Sequence, residues 1–441
     1  MLASEHLAVC SLGRLRQAGI LQRAARVTAL LARAYRAVHD RLEASAVMNR
    51  TALDERDRDR AGGHPIAVDP KDHLLAAIDW LVRAHEASSD GGVSRGYAVA
   101  WHPYFRSRGW QPSYPETTGY LIPTMFNLAS RWNRADLRQR AIRMADWELE
   151  VQLPSGAVQS GVIGEQATPT PAVFNTGQVL FGLVRAHQET GRDEYLTGAR
   201  RAAEYMLGAL GPDGGFVKGR SAMAREDCTT YYTRAAWGLC VLGVHVHEAR
   251  YVAAAERNIR YGISRQLENG WFQANCLTEP ERPLLHTIAY AVEGILGVGL
   301  LLGREEYVQA ARRSARALAA RQRPDGGLAG RFASDWSPQA RWDCLTGDAQ
   351  IATVWWTLGE STADAELRDR AQRLCGFVMR AQNRTAPDAG LRGGVKGSFP
   401  IDGDYGRYEV LSWSTKFFVD ALLLTLPAQQ AAATESREAQ P

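Results

Sequence analysis

The side chains in this 441-residue chain that could do chemistry concentrate in six stretches. Residues 97–120 end in "SYPETTGY" and supply Trp101, His102, Tyr104, Trp110, Tyr114, Glu116 and Tyr120. Asn175 and Gln178 stand in "NTGQVLFGLVRA", and "REDCTTYYTR" (225–234) carries Asp227, Tyr231, Tyr232 and Arg234. "LLHTIAY" (284–290) carries His286 and Tyr290, and "FASDWSPQARWDCLTGDAQ" (332–350) carries Arg341, Trp342, Asp343 and Asp348. "SFPIDGDYGRYEVLSWSTK" (398–416) carries Asp402, Asp404, Tyr405, Tyr408, Glu409, Trp413 and Lys416. Aromatic rings beside carboxylates and arginines suit a sugar: ring faces stack on pyranoses, and charged groups hold hydroxyls or uronates. Hydrolysis of a glycosidic bond needs two carboxylates, about 5–5.5 Å apart for retention or about 6.5–9.5 Å for inversion. Glu116 and Asp343 are the expected pair. Elimination or epimerisation at a uronate needs a base, for which Tyr231, Tyr232, His286, Tyr290, Tyr405 and Tyr408 are candidates, with Tyr232 and His286 put first, and a cation such as Arg234, Arg341 or Lys416 for the acid. Trp101, His102, Tyr104, Trp110, Tyr114, Tyr120, Asn175, Gln178, Tyr231, Tyr290, Arg341, Trp342, Asp404, Tyr405, Tyr408 and Trp413 are expected to bind substrate.

What must position these residues is an internal repeat. Glycine turns recur at 88–94, 153–158, 211–216, 267–272, 323–328 and 391–397, 55–67 residues apart, several of them reading "DGG". After each comes a threonine at the start of an apolar segment: Thr118, Thr176, Thr233, Thr287, Thr346 and Thr415. Two markers in step six times define six units. The first helix of each unit is amphipathic, as in "REEYVQAARRSARALAARQ" (304–322), and the second is far more apolar. An outer ring of amphipathic helices around an inner ring of apolar ones satisfies both patterns. The threonines are expected as N-caps of the inner helices and the glycines as left-handed ends of the outer ones. Inner-to-outer connections are short, while outer-to-inner ones are long enough to carry function, so the candidate residues share one face.

Six such hairpins resemble the all-α (α/α)6 toroids of the six-hairpin glycosidase superfamily, with its related polysaccharide lyases and uronyl epimerases. "SYPETTGY" with "WDCLTGDAQIATVWWTL" also resembles proteins of bacterial exopolysaccharide and capsule gene clusters. The resemblance implies a carbohydrate-active enzyme, a glycoside hydrolase or a uronate lyase or epimerase, with polysaccharide or oligosaccharide as its partner. Two other readings stand beside it: a non-catalytic glycan-binding or scaffold component of exopolysaccharide synthesis, and a toroid of the cyclase and prenyltransferase type. The "DGG" turns match the repeats of that last group only weakly, and its D-x-D-D motif is absent.

Composition narrows the field. The net charge of +4 is too mild to argue for nucleic acid. Six scattered cysteines without a CxxC pair fit a reducing cytoplasm, and no uninterrupted apolar run long enough to span a membrane is evident. A zinc site would need Cys228, Cys344 and His286 to converge; none is expected, nor is any cofactor. Residues 1–65 read as an Arg-rich amphipathic helix followed by a polar linker at 49–65, residues 66–426 as the toroid, and residues 427–441 as a disordered tail.

Overall fold

The computed structural model describes residues 49–164, 168–221, 224–225 and 229–426. The N-terminal amphipathic segment, Asp227, Cys228 and the 427–441 tail lie outside the described residues. Among the described residues there are thirteen α-helices: α1 (Arg50–Arg60), α2 (Pro70–Glu86), α3 (Pro115–Trp132), α4 (Ala135–Glu150), α5 (Val173–Thr190), α6 (Asp193–Ala209), α7 (Thr233–His245), α8 (Ala249–Ser264), α9 (Leu285–Leu302), α10 (Glu305–Ala319), α11 (Leu345–Ser361), α12 (Ala365–Ala381) and α13 (Ser412–Thr425). The odd-numbered helices from α3 to α13 pack side by side and close on each other as an inner ring. The even-numbered helices surround them, and the first outer helix, α2, packs on the last inner one, α13, so the two ends of the repeat meet. This is the (α/α)6 toroid.

Burial follows the pattern that the two rings require. In α10 the buried residues Tyr307, Val308, Ala310, Ala311, Ser314, Ala315 and Leu318 make one stripe. In α9 fourteen of eighteen residues are buried, Glu293 among them. By length and composition α9 could cross a membrane, but most of it is enclosed by the ring. Inner helices approach closely where glycines meet: a side chain at Gly238 of α7 would strike the Gly177 carbonyl of α5.

The glycine turns do not end the outer helices. The caps of α2, α4, α6, α8, α10 and α12 fall several residues earlier, at Ala87, Val151, Leu210, Arg265, Ala320 and Gln382. Instead each turn rests on the next outer helix around the ring. In four units the first glycine has positive φ (Gly91, Gly214, Gly326, Gly393). The glycine after it lies under an aromatic ring of that neighbouring helix, namely Trp147, Tyr261, Phe377 and Trp80. The aspartate of "DGG" accepts from the second glycine amide at 3.0 Å in three of them. The threonines are not N-caps either. Thr118, Thr176 and Thr415 sit inside the first turn, donate to the carbonyl four residues back, and accept the amides of Val93, Val158 and Val395 just past the preceding turn. In these three units the two sequence markers are thus two halves of one contact.

The long connections carry the only strands among the described residues: β1 (Gly96–His102), β2 (Ser107–Trp110), β3 (Val158–Gln159), β4 (Pro171–Ala172), β5 (Asp343–Cys344), β6 (Ser398–Phe399) and β7 (Glu409–Leu411). A β2–β1–β7 antiparallel sheet ties the first long loop to the last, with Tyr97 opposite Val410. Residues 50–60, expected as polar linker, form α1 instead. Its charged residues Glu55 and Asp59 are buried because Lys396 of the last long loop reaches them at 2.6 and 2.5 Å.

Candidate functional site

The N-terminal ends of the inner helices converge on the long-loop face, and Glu116 stands at their centre. It lies in the first turn of α3, where Pro115 starts the helix and the positive end of the dipole favours an acid. Tyr114 donates to its carboxylate at 2.7 Å. Burial pushes the Glu116 carboxyl up to about 7, against the hydroxyls of Tyr114 and Tyr290 and the charge of Arg95, which favour the ionised form. The Tyr290 hydroxyl is near enough to act on this carboxyl but makes no hydrogen bond of good geometry. Tyr120 and Tyr405 complete a wall of four phenols whose own ionisation burial suppresses first and foremost.

Beside it, Arg95 donates to Glu409 at 2.6 Å and to Gln111 at 2.5 Å, and lies 4.9 Å over the Trp413 ring. Glu409 also accepts from Gln111 at 2.5 Å and has His102 Nε2 at 3.4 Å. Burial alone would raise the Glu409 carboxyl, but Arg95 and His102 hold it below the usual range. Two carboxyls around one guanidinium therefore differ in state, Glu116 near neutrality and Glu409 firmly ionised. Trp413 Nε1 donates to the Tyr405 hydroxyl at 2.8 Å.

His286 opens α9. Its ring lies 4.3 Å from that of Tyr290 and 5.6 Å from that of Tyr405. Its Nδ1 is 2.6 Å from Gln350 Oε1, and Gln350 Nε2 donates to Glu293 at 2.9 Å. Glu293 in turn lies 3.4 Å from Arg234, whose Nε donates to Gln178 at 3.3 Å. The carboxyl of Glu293 accepts from the Gln350 amide nitrogen, so the Gln350 oxygen faces His286 and Nδ1 carries the ring proton. Nε2 is left with its lone pair. Burial holds His286 down to about 4, so it is neutral at pH 7.

The structure therefore brings together Tyr114, Glu116, Tyr120, His286, Tyr290, Tyr405 and Trp413, with His102 on the Glu409 side. Asn175 reaches Tyr114, and Gln178 belongs to the Arg234 network. Asp343 does not join Glu116. It pairs with Arg323 at 2.7 Å, next to Phe377 of the outer ring, because successive strand residues face opposite ways: Asp343 outward, Cys344 inward toward Tyr405. Burial raises Asp343 to about 6, and it shares no partner with Glu116. Tyr231 and Tyr232 are buried against Phe174, with Tyr232 edge-on to Phe216. Tyr232 is thus a packing residue rather than an exposed base. Trp110 packs tilted against Trp80 and edge to face with Tyr97, Trp342 covers Gly330, and Tyr408 packs by Arg56 of α1. Tyr104, Arg341 and Asp404 are exposed, and Trp101 is half-buried in β1. Arg95, Gln111, Glu293 and Gln350 were not singled out from the sequence. Glu293 had a legible signal, since a lone acid in the most apolar helix must find a partner.

Among the described residues, Glu55, Asp59 and His64 are the one group of acids, His and Cys converging as metal ligands would. Lys396 Nζ already lies between the two carboxylates and supplies the cation. Cys344 accepts from the His286 backbone amide and is buried.

No protein-family profile and no curated protein matches the sequence. The fold is shared with solved structures. An unsaturated glucuronyl hydrolase specific for heparin superposes with a TM-score of 0.63 at 13% identity, covering 80% of this chain and 96% of its own. A sugar epimerase from a ruminal bacterium gives 0.64 at 10% identity, covering 85% and 99%. Cellobiose 2-epimerase from Bacillus thermoamylovorans gives 0.61 at 10% identity, covering 84% and 99%. The chain has the fold of the six-hairpin glycosidase-like toroids.

Proposed function

We propose that this protein is a carbohydrate-active enzyme that works on a polysaccharide or oligosaccharide at the long-loop mouth of the ring. The observation that carries this reading is Glu116: a carboxyl at the meeting point of the inner helices, held near pKa 7 by burial among tyrosines. A group of that acidity is present in both protonation states at neutral pH and can give or take a proton. Trp413 and Tyr405 offer ring faces, and Arg95 offers charge for a uronate or hydroxyl.

Proton transfer at a sugar carbon fits the site better than two-carboxylate hydrolysis, because Glu116 has His286 across Tyr290 and lacks Asp343. One of the two groups takes the proton from the carbon next to a carboxylate or carbonyl. The other returns a proton to the opposite face, giving epimerisation, or to the departing glycosidic oxygen, giving elimination. Solved structures with this fold include a glucuronyl hydrolase and sugar epimerases, so epimerisation is among the chemistries that the scaffold is known to host.

The test is a panel of neutral and uronic-acid oligosaccharides incubated in deuterated water. Deuterium at a sugar carbon, or the ultraviolet absorbance of an unsaturated uronate, lost in Glu116→Gln, supports the proposal. New reducing ends with neither signal would show hydrolysis instead. Binding without any turnover across the panel would leave a glycan-binding protein.

A further inference from the structure

The Glu116 site occupies one face of the ring; the other face holds a cavity of about 380 Å³ on the ring axis, lined by all six inner helices. It shares Tyr120, Arg234 and Glu293 with the supports of the Glu116 and His286 site, but its open end and its apolar walls lie outside that site. Its floor is charged and buried: Arg234, Glu293 and Lys416 are each under one-tenth exposed. Arg234 is matched by Glu293 at 3.4 Å and Lys416 by Asp420 at 2.6 Å, with Thr124 donating to Asp420 at 2.7 Å. The walls above are apolar and aromatic. Phe181 and Trp237 meet edge to face at 5.0 Å and are partly exposed into the space, opposite Leu296 and Val354. At the opening, Leu300 and Leu424 are 41% and 44% exposed.

We propose that this cavity is a second binding site, for an uncharged hydroxylated amphiphile such as a sugar bearing a hydrocarbon or aryl group. The volume is that of a small-molecule site. The body of the ligand replaces water against Phe181, Trp237 and Leu296 and at the leucine rim. The head meets a floor of two cations and two anions, each already holding an opposite partner. A charged head of either sign would bring a like charge against one of them in a dry setting. Hydroxyls can donate to Glu293 and Asp420 and accept from Arg234 and Lys416 at once, which leaves no buried polar group unmatched.

Three probes of equal chain length decide the matter by titration calorimetry on the full chain: n-octyl β-glucoside below its micelle concentration, octanoate and octyltrimethylammonium. The glycoside is expected to bind saturably, one per chain, at least about tenfold tighter than either ion. Thr357→Trp and Asn127→Phe, two rim changes that narrow the opening, are expected to weaken it by at least about tenfold each while circular dichroism and melting stay unchanged. No saturable binding of the glycoside, equal binding of the ions, or undiminished binding in both folded rim variants would overturn the proposal. All three outcomes are independent of turnover at Glu116.

Discussion

Gln350 holds the imidazole of His286 by its Nδ1 at 2.6 Å, and it can do so in one orientation only because its amide hydrogens go to Glu293. The pair spans two adjacent inner helices, α9 and α11, so the ring geometry itself sets the tautomer. Replacing Gln350 by Met keeps the volume and removes the acceptor. Turnover is expected to fall roughly tenfold or more with the substrate KM little changed. Gln350→Glu puts a negative charge beside the ring and is expected to raise His286 from about 4. The imidazole carbon shifts followed by NMR across a pH series check this; an unmoved titration would exclude the contact.

Glu116 links activity to stability. Its folded pKa, about 7, is above the unfolded value of 4.5. The folded state therefore binds more protons than the unfolded one between those values. The stability that this provides is fully present below about pH 4.5 and is lost as the pH rises through 7. The loss amounts to at most about 3 kcal/mol, less where water reaches the group. Glu116→Gln, neutral at every pH, is expected to melt like the wild type at pH 5 and a few degrees higher at pH 8.5. An identical difference at both pH values would show that the carboxyl is not perturbed.

Asp343 is where a reading from spacing and the structure part. The residue stands three before Thr346, as Glu116 stands two before Thr118. That one-residue difference places it on the outward side of β5, against Arg323. Asp343→Asn is expected to leave turnover within a few fold of wild type and to cost about 1–3 kcal/mol in chemical denaturation, from a partly buried pair left unmatched. A loss of activity as large as that of Glu116→Gln would restore the two-carboxylate mechanism.

The rings were legible because periodicity and burial are tied together: α9 and α10 differ in apolar content in the way that their surroundings demand. The candidate site was legible in part, since loop length and residue type point to Glu116, His286, Tyr290, Tyr405 and Trp413. What escaped is contact between segments far apart in sequence. Thr118 looks like a cap until Val93, twenty-five residues earlier, is seen to donate to it. Arg95 and Glu409 stand 314 residues apart and meet only when the sheet closes the first loop on the last. Single-chain patterns carry local geometry, while ring closure is a long-range fact.

The glycine turns give a paired test of that closure. Gly393 has a φ of 89°, and a side chain there would press on the Ala76 carbonyl of α2. Gly393→Ala is expected to cost roughly 2 kcal/mol or more, from backbone strain and overpacking. Gly208 lies exposed in α6 with nothing near its missing Cβ, so Gly208→Ala is expected to stabilise by about 0.5–1 kcal/mol. Denaturant midpoints for the two variants should move in opposite directions.

Lys396 anchors α1 to the ring. It is 1% exposed and is gripped by Glu55 and Asp59, while Asn383 donates to Glu55 at 2.7 Å and the Ile401 amide to Asp59 at 2.9 Å. Burial would raise both carboxyls, but Lys396 and His64 hold Glu55 down to about 2, whereas burial and its neighbour Glu55 keep Asp59 up near 6. Removing the cation leaves two acids facing each other in a dry pocket. Lys396→Met is therefore expected to cost about 3–5 kcal/mol. The double variant Lys396→Met with Glu55→Gln should recover much of that, because the charge that needed a partner is gone. The loss should appear first as undocking of α1, with limited proteolysis cutting between Gly62 and Asp69 before the toroid melts. Global unfolding without that early cut would mean that α1 is part of the cooperative core.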